Sequence, residues 1–94
     1  YPTKDQEAAI LKQAAPGLDK RTLDSVLMLG TETRQAGAVE YSLSTRDLVQ
    51  IVSDIVLLGN PKEALLLAAG KFEGNDRTFY ETRVAANFGI KLKE

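Results

Sequence analysis

The residue of greatest chemical interest in the sequence is Arg46, which lies in the segment Ser44-Thr45-Arg46-Asp47. Ser44 and Asp47 have the spacing of a capping box, so the segment predicts the first turn of a helix. A helix start favours anions because its first N–H groups are free and its dipole is positive there. The guanidinium of Arg46 would add a planar fork of donors suited to phosphate oxygens. The alternative is a surface arginine paired with Asp47 or Glu40, which is the commoner meaning of so short a motif.

The residue types that the chain lacks exclude most kinds of catalytic site. Its 94 residues include no histidine and no cysteine, so the commonest general base and the usual zinc ligands are absent. Twelve Lys and Arg residues against thirteen Asp and Glu residues argue against broad electrostatic binding of nucleic acid or anionic lipid. No apolar run approaches the roughly 20 residues of a membrane span. We therefore expect no metal site, no catalytic residue, and neither nucleic acid nor membrane as a partner.

Other segments resemble functional motifs but fit them poorly. Gly70-Lys71 is similar to the end of a phosphate-binding loop, yet Leu65 and Phe72 stand where that loop needs Gly and Ser or Thr. A DNA-recognition helix would carry polar side chains for base edges, whereas residues 44–58 are rich in Leu, Val and Ile. The scattered aromatic side chains are interpreted as core anchors rather than as platforms for stacking bases.

Five helices are predicted to position Arg46, in one domain that spans residues 1–94. Capping residues and apolar spacing place them from Thr3 to Pro16, Asp19 to about Gln35, Ser44 to Leu58, Asn60 to Gly70, and Arg77 to Asn87, the last capped by Asn75 or Asp76. Val39, Tyr41 and Leu43 alternate with other residues, which permits a very short strand that would pair with the tail at 90–92. The expected fold class is all-α, a compact orthogonal bundle of about five helices.

The order of these features resembles that of a known family. The elements that carry the resemblance are Tyr1-Pro2, Glu7 with Ile10-Leu11 in an acidic first helix, Ala15-Pro16-Gly17-Leu18, Arg34-Gln35-Ala36-Gly37, and Tyr41 to Leu48 before a long apolar helix. Together they resemble the C-terminal lid of AAA+ ATPases, in the dynein-related branch that includes MoxR-type ATPases and midasin. The stretch from Leu43 to Leu48 is similar to the sensor-2 motif at the start of a lid helix. The stretch from Tyr80 to Ile90 is similar to AAA+ proteins that carry a von Willebrand factor A domain.

The resemblance implies a lid that packs on a larger α/β nucleotide-binding core of the same chain. Arg46 would be the sensor-2 arginine that contacts the γ-phosphate of ATP, with Thr45 beside it and with Ile10 and Leu11 near the adenine. The core would hold ATP and Mg²⁺, because its phosphate loop and magnesium-binding acidic motif have no counterpart here. The chain would then be a fragment of a larger cytoplasmic ATPase that contacts neighbouring subunits of a ring and is not catalytic alone.

The alternative function is a helical protein–protein interaction module without a nucleotide role. Its motivation is the abundance of apolar residues on the third predicted helix for so small a domain. It predicts an exposed apolar patch well above a few hundred Å², lying away from Arg46.

Overall fold

The computed structural model describes residues 3–35 and 39–92, and within these ranges it contains five helices and no strand. The helices are α1 (Lys4–Ala14), α2 (Lys20–Thr33), α3 (Thr45–Leu58), α4 (Pro61–Ala69) and α5 (Gly74–Phe88). The expected all-α bundle is therefore confirmed. None of these helices is long and apolar enough to cross a membrane. Tyr1-Pro2 and Ala36-Gly37, which belong to the family resemblance, lie outside the described residues.

The short strand permitted over residues 39–43 is not formed in the described part of the chain. The N–H of Leu43 donates to the hydroxyl of Thr33 at 3.1 Å. The N–H of Glu40 donates to the carboxylate of Asp76 at 3.0 Å. Side-chain oxygens therefore accept from backbone N–H groups that a strand pairing with the tail at 90–92 would need.

Side-chain caps begin four of the five helices, as the sequence predicts. The N-cap residues are Thr3, Asp19, Ser44 and Asn60, and each side chain accepts a hydrogen bond from the first turn of its helix. At α1 and α3 the capping box is complete, because the side chains of Gln6 and Asp47 accept in return from the cap N–H groups. These bonds satisfy donors that a helix start leaves free.

The predicted start of the last helix is wrong by three residues. α5 begins at Gly74 rather than Arg77, and its N-cap Glu73 makes no side-chain capping bond. Asp76, one of the two predicted caps, instead accepts from the N–H of Glu40. Gly74 has φ of +56°, a conformation that glycine adopts without the steric cost of a Cβ.

The hydrophobic core lies around α3, which packs on α1, α2 and α4, while α5 packs on α2 and α4. Leu48 and Val52 of α3 are fully buried, as are Leu11 of α1 and Tyr80 of α5. The Tyr80 hydroxyl donates to the carbonyl of Leu65 at 2.8 Å, so its polar end is satisfied inside the core. This core holds the first turn of α3 at one edge of the bundle.

Candidate functional site

Arg46 is the second residue of α3 and its side chain is exposed. Among the described residues it forms neither a hydrogen bond nor an ion pair. The alternative pairing with Asp47 or Glu40 is therefore not formed. The guanidinium of Arg46 is available to a ligand from outside the domain.

The carboxylate of Asp47 is committed to the bonds that shape the start of α3. It accepts from the Ser44 N–H at 2.9 Å and from the Tyr41 hydroxyl at 2.5 Å. Its other oxygen lies 3.3 Å from the ammonium of Lys71. Burial raises the pKa of Asp47, but the hydrogen bonds from Tyr41, Ser44 and Lys71 outweigh it and leave the pKa below its usual value. Asp47 is thus ionised and structural, and it leaves its neighbour Arg46 unpaired.

A buried carboxylate, that of Glu7, lies directly behind the first turn of α3. Glu7 is only 3% exposed. It accepts two bonds from the guanidinium of Arg34, at 2.8 and 2.7 Å, and one from the Thr45 hydroxyl at 2.7 Å. The bonds from Arg34 lower the pKa of Glu7 against the opposing effect of burial, and the bond from Thr45 adds to the lowering. The hydroxyl of Thr45, a predicted site residue, therefore faces into the domain.

The linker before α3 is attached to the same cluster. The Nε of Arg34 donates to the carbonyl of Leu43 at 2.7 Å, and Leu43 itself is fully buried. Glu7 and Arg34 were part of the family resemblance, but their pairing was not predicted. The sequence does contain a signal that Glu7 is buried. Glu7 lies four residues before the apolar Leu11, so both residues share the inward face of α1.

The structure separates the two residues that the resemblance places near adenine. Ile10 is 39% exposed, whereas Leu11 is fully buried in the core. Ile10 lies three residues after Glu7, so the two residues are neighbours on the surface of α1. Leu11 has no accessible surface in this packing, and only Ile10 offers its side chain to a ligand.

The surface around Arg46 can supply contacts but does not enclose a ligand by itself. The N–H groups of Thr45 and Arg46 belong to the first turn, where a helix has no acceptors of its own. An apolar cleft of about 400 Å³ between α1 and α2 is lined by Ala8, Leu18 and Leu23, and Arg46 is not among its lining residues. Within the described ranges no group of three acidic side chains is arranged to hold a metal ion.

The site thus consists of one free guanidinium at a helix start, one exposed Ile on the adjoining helix, and a buried ionic cluster beneath them. Such a surface by itself gives an anion only weak affinity, because one arginine in water contributes little. Comparison of the chain with protein-family models, with curated proteins and with solved structures finds no match.

Proposed function

We propose that the chain is the C-terminal lid of an AAA+ ATPase of the dynein-related, MoxR-like branch, with Arg46 as the sensor-2 arginine that contacts the γ-phosphate. The observation that carries the proposal is the exposure of Arg46 and its lack of a partner among the described residues. Arg46 lies at the start of a helix whose first turn is held by Glu7 and by the bonds of Asp47. The ligand is proposed to be ATP because the stretch from Leu43 to Leu48 resembles the sensor-2 motif.

In this proposal the core of the same chain binds ATP and Mg²⁺, and the lid closes over them. Phosphoryl transfer depends on positioning and on positive charge placed where negative charge develops. Arg46 would supply that charge from a separate rigid body, so that ATP draws the lid inward and loss of phosphate releases it. Ile10 would pack near the adenine, with Leu11 supporting it from the core. Thr45 would contribute its backbone N–H, because its hydroxyl is bonded to Glu7.

The location and the further partners belong to the same proposal. A cytoplasmic location is part of the proposal, and a chain without cysteine is compatible with the reducing conditions there. Neighbouring subunits of a ring would meet the exposed apolar side chains at the end of α3. Neither nucleic acid nor lipid is proposed as a partner, in keeping with the balanced charge.

The proposal predicts that Arg46→Ala abolishes a weak interaction between this domain and ATP. A half-site of this kind should bind with a Kd of roughly millimolar, about −4 kcal/mol. Arg21→Ala is a matched control, because Arg21 is also exposed and is also the second residue of a helix, α2. NMR titrations of the wild type and of both variants with ATP should show loss of saturable binding in Arg46→Ala alone. Equal loss in both variants would mean nonspecific attraction of an anion to any cationic helix start.

The same substitution has a second expected effect in the ATPase that contains the core. Removal of one preorganised donor should cost about 2–4 kcal/mol of transition-state stabilisation. Steady-state ATP hydrolysis by Arg46→Ala, with Arg21→Ala in parallel, measures this cost. Unchanged hydrolysis in Arg46→Ala would rule out the sensor-2 assignment. Micromolar binding of ATP by this chain alone would contradict the lid, because no second half-site would then be needed.

A second candidate is the protein–protein interaction module, and the exposed apolar surface favours it. Leu57 is 81% exposed, Leu67 of α4 is 63% exposed, and Val56 is 52% exposed. Leu57 lies eleven residues after Arg46 on α3, about 16 Å along the helix axis. A partner that binds this end of α3 equally well in the wild type and in Arg46→Ala, together with no effect of ATP, would favour the interaction module.

A further inference from the structure

We propose that Glu7 is a positioning residue for Arg46, and that it acts through the hydroxyl of Thr45 and the guanidinium of Arg34. The inference rests on the proposed function, because the position of Arg46 matters only if Arg46 contacts a ligand. It gives a role to the buried charge of Glu7, for which the lid resemblance implies no role.

One of the hydrogen bonds of Glu7 comes from Thr45, the residue that precedes Arg46 in the chain. One carboxylate oxygen accepts from the Thr45 hydroxyl at 2.7 Å, which ties α1 to the first residue of α3. The same carboxylate accepts a hydrogen bond from each terminal nitrogen of Arg34, at 2.8 and 2.7 Å, which connects it to the end of α2. Arg34 in turn donates to the carbonyl of Leu43 at 2.7 Å. The turn that carries Arg46 is thus attached to α1, to α2 and to its own linker by directional bonds.

The burial of the Glu7–Arg34 pair sets it apart from the other ion pairs of the described residues. The side chains of Arg34 and Glu7 are 13% and 4% exposed, whereas those of Arg83 and Glu32, also 2.7 Å apart, are 32% and 17% exposed. Apolar residues of the same volume often replace such a pair without loss of stability. Charge-assisted bonds fix direction better than apolar contacts do. In this proposal, the bonds of Glu7 and Arg34 set the orientation of the first turn of α3.

Two substitutions test the positioning role of Glu7 without creating a cavity in the core. Thr45→Val keeps the shape of the side chain and the Glu7–Arg34 pair, but removes the bond to α3. Glu7→Gln keeps the length of the side chain and removes its charge. Glu32→Gln is the control, since it weakens the pair with Arg83, which joins α2 to α5 on another side of the bundle. If Glu7→Gln fails to fold, Thr45→Val decides.

The first readout needs no nucleotide. The N–H of Leu48 donates to the carbonyl of Ser44 at 3.0 Å and closes the first turn of α3. Its hydrogen exchange should accelerate about tenfold in Thr45→Val, since a bond to a charged group is lost, while exchange at Val84 of α5 stays unchanged. Glu32→Gln should leave Leu48 unchanged. Unaltered exchange at Leu48 in Thr45→Val would overturn the positioning role, whether or not ATP binds.

The second readout is the Kd for ATP. Thr45→Val and Glu7→Gln should each weaken binding about fivefold, the cost of ordering one loosened long side chain. The double variant should lose no more than either single variant, because both changes release the same turn. Glu32→Gln should bind as the wild type does. If Glu32→Gln weakened ATP binding equally, Glu7 would only stabilise the fold in general and would not position Arg46. If the wild type shows no ATP binding, the proposed function fails, and the exchange experiment then reports only whether Glu7 holds the first turn of α3 in place.

Discussion

Arg34 and Arg46 lie on either side of the same linker but have opposite surroundings. The side chain of Arg34 is 13% exposed, and all three of its nitrogens donate to Glu7 or to the carbonyl of Leu43. Arg46 is exposed and has no partner among the described residues. A guanidinium that is largely shielded from water needs hydrogen-bond partners in the protein, whereas an exposed one is stable in water. Of the two, Arg46 is the arginine available to a ligand.

At the residue scale, the stability of the domain should depend on pH through Glu7. The bonds from Arg34 lower the pKa of Glu7 below its ordinary value of 4.5. Its contribution is therefore complete above that ordinary pKa and is lost as the pH falls through the lowered, folded-state pKa. Glu7→Gln should cost about 3 kcal/mol at pH 7, because it leaves the largely buried guanidinium of Arg34 with an uncharged partner.

Urea unfolding of the wild type and of Glu7→Gln between pH 7 and pH 3 measures this effect. Asp19 and Asp47 also have lowered pKa values, so both proteins lose stability in acid. The difference between the two proteins should nevertheless shrink below about pH 4.5. The exposed substitution Glu63→Gln should change the free energy of unfolding by less than about 0.5 kcal/mol. A constant difference between wild type and Glu7→Gln would show that the charge of Glu7 is not what stabilises the fold.

At the element scale, local signals in the sequence predict the helix starts wherever a short polar side chain caps the helix. Asp19 and Ser44 can be found this way because the cap and the donors it satisfies are close in the chain. The start of α5 cannot, since Gly74 has a left-handed conformation there and Asp76 accepts a hydrogen bond from the N–H of the distant Glu40 instead of capping the helix. The Glu7–Thr45 bond was missed for a similar reason: it joins residues 38 positions apart.

Gly30 provides a further test at this scale. A Cβ at Gly30 would lie 2.7 Å from Cδ1 of the fully buried Leu48, so glycine allows α2 to approach α3 closely. Gly30→Ala gains about 1 kcal/mol of helix propensity but overpacks the core by about 1–3 kcal/mol. We expect a net loss of about 1 kcal/mol in the free energy of unfolding.

A double-mutant cycle separates these two effects. Leu48→Ala alone should cost about 2–5 kcal/mol. In the Leu48→Ala background, Gly30→Ala should become stabilising by up to about 1 kcal/mol, because the clash is gone and the propensity gain remains. Chemical denaturation of the four proteins gives the coupling energy. Purely additive effects would mean that Gly30 does not allow the close packing of α2 on α3.

At the scale of the whole molecule, the two ends of α3 differ in character. Its first turn carries the free Arg46 above a buried ionic cluster, and its last turn carries Leu57 and Leu58, which are 81% and 48% exposed. The apolar composition of α3 predicts a central helix, but composition does not tell which side the neighbours leave open. α3 packs on α1, α2 and α4 but not on α5. The lid proposal assigns the first end to nucleotide and the second to a neighbouring protein surface.

The measurement that tests the central claim most directly is an NMR titration of the wild-type domain with ATP and with ADP, mapped by residue. The lid proposal predicts saturable shifts at roughly millimolar nucleotide, centred on Thr45, Arg46 and Ile10 and larger for ATP than for ADP. The apolar end of α3 around Leu57 should not respond. Shifts of equal size for both nucleotides and centred on Arg21, or no saturable shift up to several times this concentration, would contradict the claim that this domain presents half of a γ-phosphate site.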